Sequence, residues 1–98
     1  MVERVIVWTS TAKLELKNIL EFYNFRNKTK TYSQKLYRKI QSELNLLIFH
    51  PTIGKKTELI NVRGLIIESH IIYYELNENQ IIILSVWDTR QNPDRLKL

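Results

Sequence analysis

Three side chains in the second half of the sequence could move a proton or hold an anion. Histidine ordinarily titrates near neutral pH, so His70 could serve as a general acid or base. Arg63 and Arg90 carry guanidinium groups, which suit a phosphate or a carboxylate. A single strand histidine is more often half-buried and hydrogen-bonded, and Arg90 could be held by Asp88 or Glu68. We expect these structural roles for His70 and Arg90, and leave phosphate binding and a solvated strand edge equally open for Arg63.

A second group of side chains could contact a partner without doing chemistry. Lys55 and Lys56 fall in a predicted loop. They could contact nucleic acid or an acidic protein partner, and a loop that is only solvated is equally favoured. Arg90 and Arg95 lie beyond the last predicted strand, where loops carry functional groups. Tyr73 and Tyr74 are expected as core and rim aromatics rather than proton donors. The candidate contacts with a target or partner are therefore Lys55, Lys56, Arg63, Tyr73, Arg90 and Arg95.

The composition is typical of one soluble globular domain. The 98 residues are 44% apolar and 26% charged, which suits a single hydrophobic core. There is no cysteine, which excludes disulfides and thiolate metal sites, and no cofactor or metal is expected. The net charge of +5 favours an anionic partner. The first residues resemble neither a signal peptide nor a membrane anchor, so we expect a single domain over residues 1–98 in the cytoplasm.

The first half of the chain predicts a strand and two helices. Residues 4–8 are β-branched or aromatic and predict a strand. An apolar stripe of period 3.6 predicts a helix over about 11–26, capped by Ser10. A second stripe predicts a helix that ends near Phe49, and Thr31 with a glutamine three residues later predicts a capping box at its start. The short link between the helices makes them an antiparallel hairpin.

The second half predicts three strands, at residues 63–69, 70–76 and 80–87. Turn residues join the last two as a hairpin. The last strand is apolar on both faces and should lie inside the sheet. The order β-α-α-β-β-β predicts an α+β fold in which the helical hairpin covers one face of an antiparallel sheet. We expect the strand at 4–8 to lie beside the strand at 63–69.

Both faces of the predicted sheet carry apolar side chains. Along 70–76, Ile72 and Tyr74 point to one face, and Ile71 and Tyr73 to the other. The helices can cover only one of these faces, which leaves a sizeable apolar surface exposed. We therefore expect a protein partner to cover part of it.

Four stretches of the chain stand out by their order and spacing. They are VWTSTAKLELKNILEFY at 7–23, FHPTIGKKTE at 49–58, NVRGLIIESHIIYYEL at 61–76 and IIILSVWDTRQNP at 81–93. Together they resemble the RelE/ParE toxins of bacterial type II toxin–antitoxin modules, of the plasmid-stabilisation type. The resemblance covers nearly the whole chain, and its most specific part is the ending WDxRQNP of one branch of that family.

The resemblance implies a toxin neutralised by a small antitoxin protein, whose C-terminal segment wraps the toxin and covers its apolar grooves. It also implies one of two targets. ParE-like members inhibit DNA gyrase without being enzymes, whereas RelE-like members cleave messenger RNA on the ribosome. Operator DNA would be bound through the antitoxin, and no membrane partner is expected.

The chain lacks part of what a RelE-like nuclease would need. Metal-free RNA cleavage requires a base, an acid and cations beside the phosphate. RelE-like nucleases resembling this chain take these from strand lysines and arginines and from a late tyrosine or histidine. Here Ile71 stands where such nucleases tend to carry arginine, and no tyrosine or histidine follows Trp87.

The resemblance, together with this incomplete catalytic set, therefore favours ParE-like inhibition of gyrase by protein contact. Any catalytic role would fall to Arg63, His70 or Arg90. The alternatives are a metal-free, ribosome-dependent messenger RNA endoribonuclease and a non-toxic interaction domain on the same fold.

Overall fold

The computed structural model describes residues 3–96 and residue 98, so residues 1, 2 and 97 of the expected domain lie outside the described residues. Two helices pack on one face of a five-stranded sheet, and the predicted α+β class is confirmed. No helix among the described residues is both long and apolar enough to cross a bilayer. The elements in chain order are β1 (Val5–Trp8), α1 (Ser10–Asn27), α2 (Thr31–Phe49), β2 (Lys55–Lys56), β3 (Val62–Ile67), β4 (His70–Leu76), β5 (Gln80–Asp88) and a 3₁₀ helix (Pro93–Arg95).

The sheet is mixed, with the strand order β1-β5-β4-β3-β2. β5 lies inside the sheet, as its two apolar faces predict, and β2 to β5 pair in antiparallel fashion. The expected place of the first strand was wrong, because β1 runs parallel to β5 rather than beside β3. The outer edge of β3 is already taken by β2, and the edge of β5 is therefore the place left for β1.

The predicted loop at Lys55 and Lys56 is instead a two-residue edge strand. Lys55 stands opposite Gly64 and Lys56 opposite Arg63 in the antiparallel register with β3. Both lysines are exposed. Short, charged edge strands discourage the sheet from pairing with another chain, which gives these lysines a structural function in addition to any contact role.

Both predicted helix caps differ in the structure. Thr9, not Ser10, caps α1: its Oγ1 accepts a hydrogen bond from the Ala12 nitrogen (3.1 Å) and donates one to the Ile83 carbonyl (2.8 Å). One hydroxyl thus caps the helix and fastens it to β5. The capping box of α2 does not form, because Thr31 is already the first helical residue.

The core lies between the helices and one sheet face, and the opposite face is open. Ile66 on the open face is 54% exposed, with Ile71 and Tyr73 half-buried beside it. The predicted apolar surface is therefore present, while its occupant stays a prediction. The most deeply buried apolar core side chains are Ala12, Leu36, Ile40, Leu44, Leu47, Ile67, Ile72, Tyr74, Ile81, Ile83 and Val86.

Glu15 on α1 closes the part of β5 that β1 does not reach. Its carboxylate accepts hydrogen bonds from the Ser85 hydroxyl (2.9 Å) and from the Val86 backbone nitrogen (3.1 Å). A buried strand edge needs such partners for its backbone donors. This contact was not predicted from the sequence, in which the available signal was an acidic residue inside the apolar stripe of a helix.

Candidate functional site

The candidate residues fall at the two ends of the sheet. The loop end is formed by residues 49–61, Arg4 and Arg63. β4 begins at the opposite end of the sheet, at His70, and ends at the loop end, at Leu76. The six residue steps between them span about 20 Å. The opposite end, termed the cluster end, is formed by Tyr23, Tyr32, Lys39, Glu68, His70, Asp88 and Arg90.

At the cluster end, Arg90 is held by a carboxylate and a phenol. Its Nε and Nη2 donate to the two carboxylate oxygens of Asp88 at 3.1 and 2.8 Å, and Nη2 also donates to the Tyr23 hydroxyl at 3.1 Å. The hydrogen bonds from Arg90 hold the pKa of Asp88 below its usual range. The ion pair expected for Arg90 is confirmed, and its role as a target contact stays a prediction.

His70 is fully buried, which differs from the half-buried, hydrogen-bonded residue expected. It is 0% exposed, and neither ring nitrogen has a hydrogen-bond partner among the described residues. The ring of Tyr23 lies edge-to-face beside it, and the Tyr23 hydroxyl accepts a hydrogen bond from Arg90. Burial lowers the pKa of His70 although the carboxylates of Asp88 and Glu68 act in the opposite direction. Burial therefore favours the neutral imidazole and keeps it out of reach of a bound substrate.

The remaining members of the cluster surround the turn between β3 and β4. Glu68 has a φ of 54°, in the left-handed region, and its carboxylate accepts from the Tyr32 hydroxyl (3.4 Å) and from Lys39 Nζ (3.3 Å). Burial, followed by the nearby Glu68 carboxylate, raises the pKa of Tyr32. Tyr32 packs edge-on against Tyr23, with ring centroids 4.7 Å apart. Beyond a carboxylate partner for Arg90, the sequence did not indicate this polar cluster, because its members come from four segments that are distant along the chain.

At the loop end, Arg63 and Tyr74 hold the chain between α2 and β2. Arg63 Nη1 donates to the carbonyls of Thr52 (3.2 Å) and Gly54 (2.9 Å). The Tyr74 hydroxyl donates to the Pro51 carbonyl (2.8 Å) and accepts from the Gly54 nitrogen (3.0 Å). A Cβ at Gly54 would lie 2.5 Å from that hydroxyl, so the close approach requires glycine. Arg63 is half-buried and serves this loop, rather than standing free at a strand edge.

The cations of the loop end, Arg63 included, form no ion pair with a described carboxylate. Arg4, Lys55, Lys56 and Arg63 have no carboxylate oxygen within 4.0 Å among the residues that the structure describes. Three of them, Arg4, Lys56 and Arg63, line an open cleft of about 670 Å³ that also borders Ile60. Tyr73 lies on the open sheet face over Gly64, and Arg95 is exposed in the 3₁₀ helix.

The three catalytic candidates do not meet. Arg63 pairs with Tyr74 in the sheet, four positions along β4 from His70, which places the two about 13 Å apart along the strand. Arg90 lies with His70 at the cluster end, bound to Asp88. No group of three metal-ligating side chains occurs within the described part of the chain. The arrangement does not bring an accessible base, an acid and free cations to one place.

Comparison with known proteins places the chain in a family. Residues 6–93 match the family described as ParE toxin of type II toxin-antitoxin system, parDE, and the chain belongs to this family. It was identified as a RelE/ParE-type toxin from its sequence, and the match confirms that. Comparison with curated protein sequences gave no match.

Two solved structures share the fold. One is from the chromosomal ParDE toxin–antitoxin system of P. aeruginosa, with a TM-score of 0.76 and 20% identity over 90% of this chain and 98% of that one. The other is from the E. coli DinJ-YafQ toxin–antitoxin complex, with a TM-score of 0.58 and 11% identity over 89% and 93% of the respective chains. Both are similar in fold to this protein.

Proposed function

We propose that this toxin of a type II toxin–antitoxin module acts in the cytoplasm by binding DNA gyrase and inhibiting it, without catalysing a reaction itself. The observation that carries the proposal is the separation of Arg63, His70 and Arg90. Membership of the ParE family also supports inhibition of gyrase, since the sequence resemblance implies gyrase as the target of ParE-like members.

The burial of His70 and the hydrogen bonds of the two arginines argue against nuclease chemistry. A general base must reach the proton that it removes, and His70 is enclosed on all sides. Cations that stabilise a phosphate must be free to meet it, whereas Arg90 binds Asp88 and Arg63 binds two backbone carbonyls. Inhibition by contact needs none of these groups to be reactive.

The open sheet face is the surface that we assign to the antitoxin. Its apolar side chains include Ile66, Ile71 and Tyr73, and no element of the described chain covers them. An antitoxin segment laid across this face would remove apolar surface from water, the main favourable term in such association. Binding of operator DNA would then occur through the antitoxin.

The test is a supercoiling assay with purified gyrase and relaxed plasmid DNA. We expect the protein to inhibit supercoiling at micromolar concentration, and the protein of the neighbouring small reading frame to reverse the inhibition. The control is a translation reaction in which ribosome-bound messenger RNA is examined for cleavage.

Two results would contradict the proposal. Cleavage of messenger RNA on the ribosome without gyrase inhibition would establish the endoribonuclease alternative. Absence of both activities, with no growth arrest on expression, would favour a non-toxic interaction domain.

A further inference from the structure

A loop at the loop end presents an isoleucine to solvent in a fixed conformation. Thr57 closes this loop: its Oγ1 accepts from the Leu59 nitrogen (3.1 Å) and donates to the Val62 carbonyl (2.9 Å), and its backbone nitrogen donates to the same carbonyl (3.2 Å). Asn61 adopts a left-handed φ of 64°, and its carbonyl accepts from the Leu76 nitrogen at 2.9 Å. At the apex, Ile60 is 87% exposed.

The exposure of Ile60 is not an isolated feature. A single apolar residue on a surface is ordinary, but Leu59, Ile53 and Phe49 at the same end are also exposed. The hydrogen bonds of Thr57 fix the loop before any partner arrives. A loop that is already ordered loses little conformational entropy on binding, and this favours its use as a contact element.

The charges around Ile60 indicate the chemistry of its partner. Lys56 on β2, Arg63 on β3 and Arg4 just before β1 line the same cleft. Arg4 Nε donates to the Asn77 carbonyl at 2.8 Å and Arg63 Nη1 to two carbonyls, whereas Lys56 is exposed. Glu58 and Glu78 also line the cleft, yet neither forms an ion pair with these cations within the described residues. Carboxylates supplied by another protein would complement the cations that are left unpaired.

We propose that the loop end is the surface that binds the target protein, with Ile60 as its anchor. Ile60 would enter an apolar pocket of the target, and the exposed Lys56 would meet a carboxylate at the rim of that pocket. Arg4 and Arg63, which are held in place by backbone carbonyls, would add positive charge there. An apolar anchor inside a polar rim is the usual organisation of a protein interface. The inference rests on the proposed function, because it requires a protein target, and it places that target away from the antitoxin on the open sheet face.

The experiment compares two exposed apolar residues at opposite ends of the molecule. Ile60→Asp and Lys56→Glu alter the loop end, and Phe25→Asp is the matched control, since Phe25 is 85% exposed near the end of α1. Each variant is expressed in a bacterium to measure growth arrest. Its affinity for the protein of the neighbouring small reading frame is measured by calorimetry, and circular dichroism during heating reports folding.

We expect both loop-end variants to need at least about tenfold more protein for arrest, which corresponds to ~1.4 kcal/mol of lost contact free energy. The Phe25→Asp variant should arrest growth as the unaltered protein does, and all three should keep their affinity for the antitoxin. If Ile60→Asp lowers the melting temperature, Ile60→Ala is used in its place and is expected to weaken arrest in the same direction.

Several outcomes would overturn the inference. They are full arrest by the loop-end variants, an equal loss in Phe25→Asp, lost antitoxin affinity in Ile60→Asp, and absence of arrest by the unaltered protein. If the unaltered protein arrests growth but does not inhibit purified gyrase, the proposed function fails and the inference does not. The loop-end variants then still decide whether this surface binds the target.

Discussion

The two ends of the sheet differ in what their polar side chains bind. At the cluster end, charged side chains bind one another, as Arg90 does with Asp88. At the loop end, they bind the backbone, and Arg63 donates to the carbonyls of residues 52 and 54. At the cluster end the charges neutralise one another. At the loop end the hydrogen bonds fix the shape of a surface, and its cations have no carboxylate partner among the described residues. A surface of the second kind is the better suited to recognise another protein.

The cluster end also shows why a concentration of titratable groups does not by itself indicate an active site. It holds a histidine, two tyrosines, two carboxylates and two cations, but every charged member is paired and the histidine is buried. Structural ion-pair networks perturb pKa values as catalytic sites do. Access to substrate separates the two cases, and here access is missing.

The largest effect on stability is expected from breaking the backbone contacts of the loop end. Tyr74→Phe should lower the free energy of unfolding by about 1–3 kcal/mol, because it leaves the buried Gly54 nitrogen and the Pro51 carbonyl without their partner. Urea denaturation measures this loss. The neighbouring Tyr73→Phe is the control and should change the free energy by less than about 0.5 kcal/mol. Equal losses in the two variants would show that the hydroxyl of Tyr74 does not hold the loop.

The next effect concerns pH at the cluster end. Because burial lowers the pKa of His70 below its ordinary 6.5, the unfolded chain binds more protons than the folded one as pH falls through that value. Stability should therefore fall between pH 7 and 5, with this histidine contributing at most about 1.4 kcal/mol per pH unit. Denaturation across that range should show the slope in the unaltered protein.

His70→Leu should reduce this slope without loss of stability at pH 7, since neither ring nitrogen makes a hydrogen bond that would be lost. His50→Gln, at an exposed position after α2, is the control and should keep the slope. A slope that persists in His70→Leu would assign the pH dependence to other groups.

The smallest effect is expected from opening the ion pair of the cluster end. Arg90→Ala should raise the pKa of Asp88 toward its ordinary 3.8, because the hydrogen bonds from the guanidinium group disappear. Carboxyl chemical shifts followed by NMR measure this change, and Lys39→Ala should leave Asp88 unaffected. Growth arrest should persist in Arg90→Ala, and its loss would make the cluster end, rather than the loop end, the target surface.

Local pattern was sufficient for the elements themselves. The apolar stripe ending before Pro51 located the end of α2 at Phe49, and the alternation along 70–76 placed Tyr74 and Tyr73 on opposite faces of the sheet. These features depend on the period of a helix or strand and on the geometry of proline, which are properties of neighbouring residues. For the same reason, the α+β class followed from the order of the elements.

Tertiary structure decided the contacts between residues that are distant in sequence. β1 lies beside β5 because β2 occupies the other edge of the sheet. The sequence did not indicate β2, since its two lysines fall in what looked like a loop. The burial of His70 depended on Tyr23 from α1, and the state of Arg63 depended on carbonyls nine and eleven residues away. The sequence by itself determined the helices, most of the strands and the family. Only packing determined which cations form ion pairs within the described part of the protein and which have no carboxylate partner there, because that depends on distances across the fold rather than along the chain.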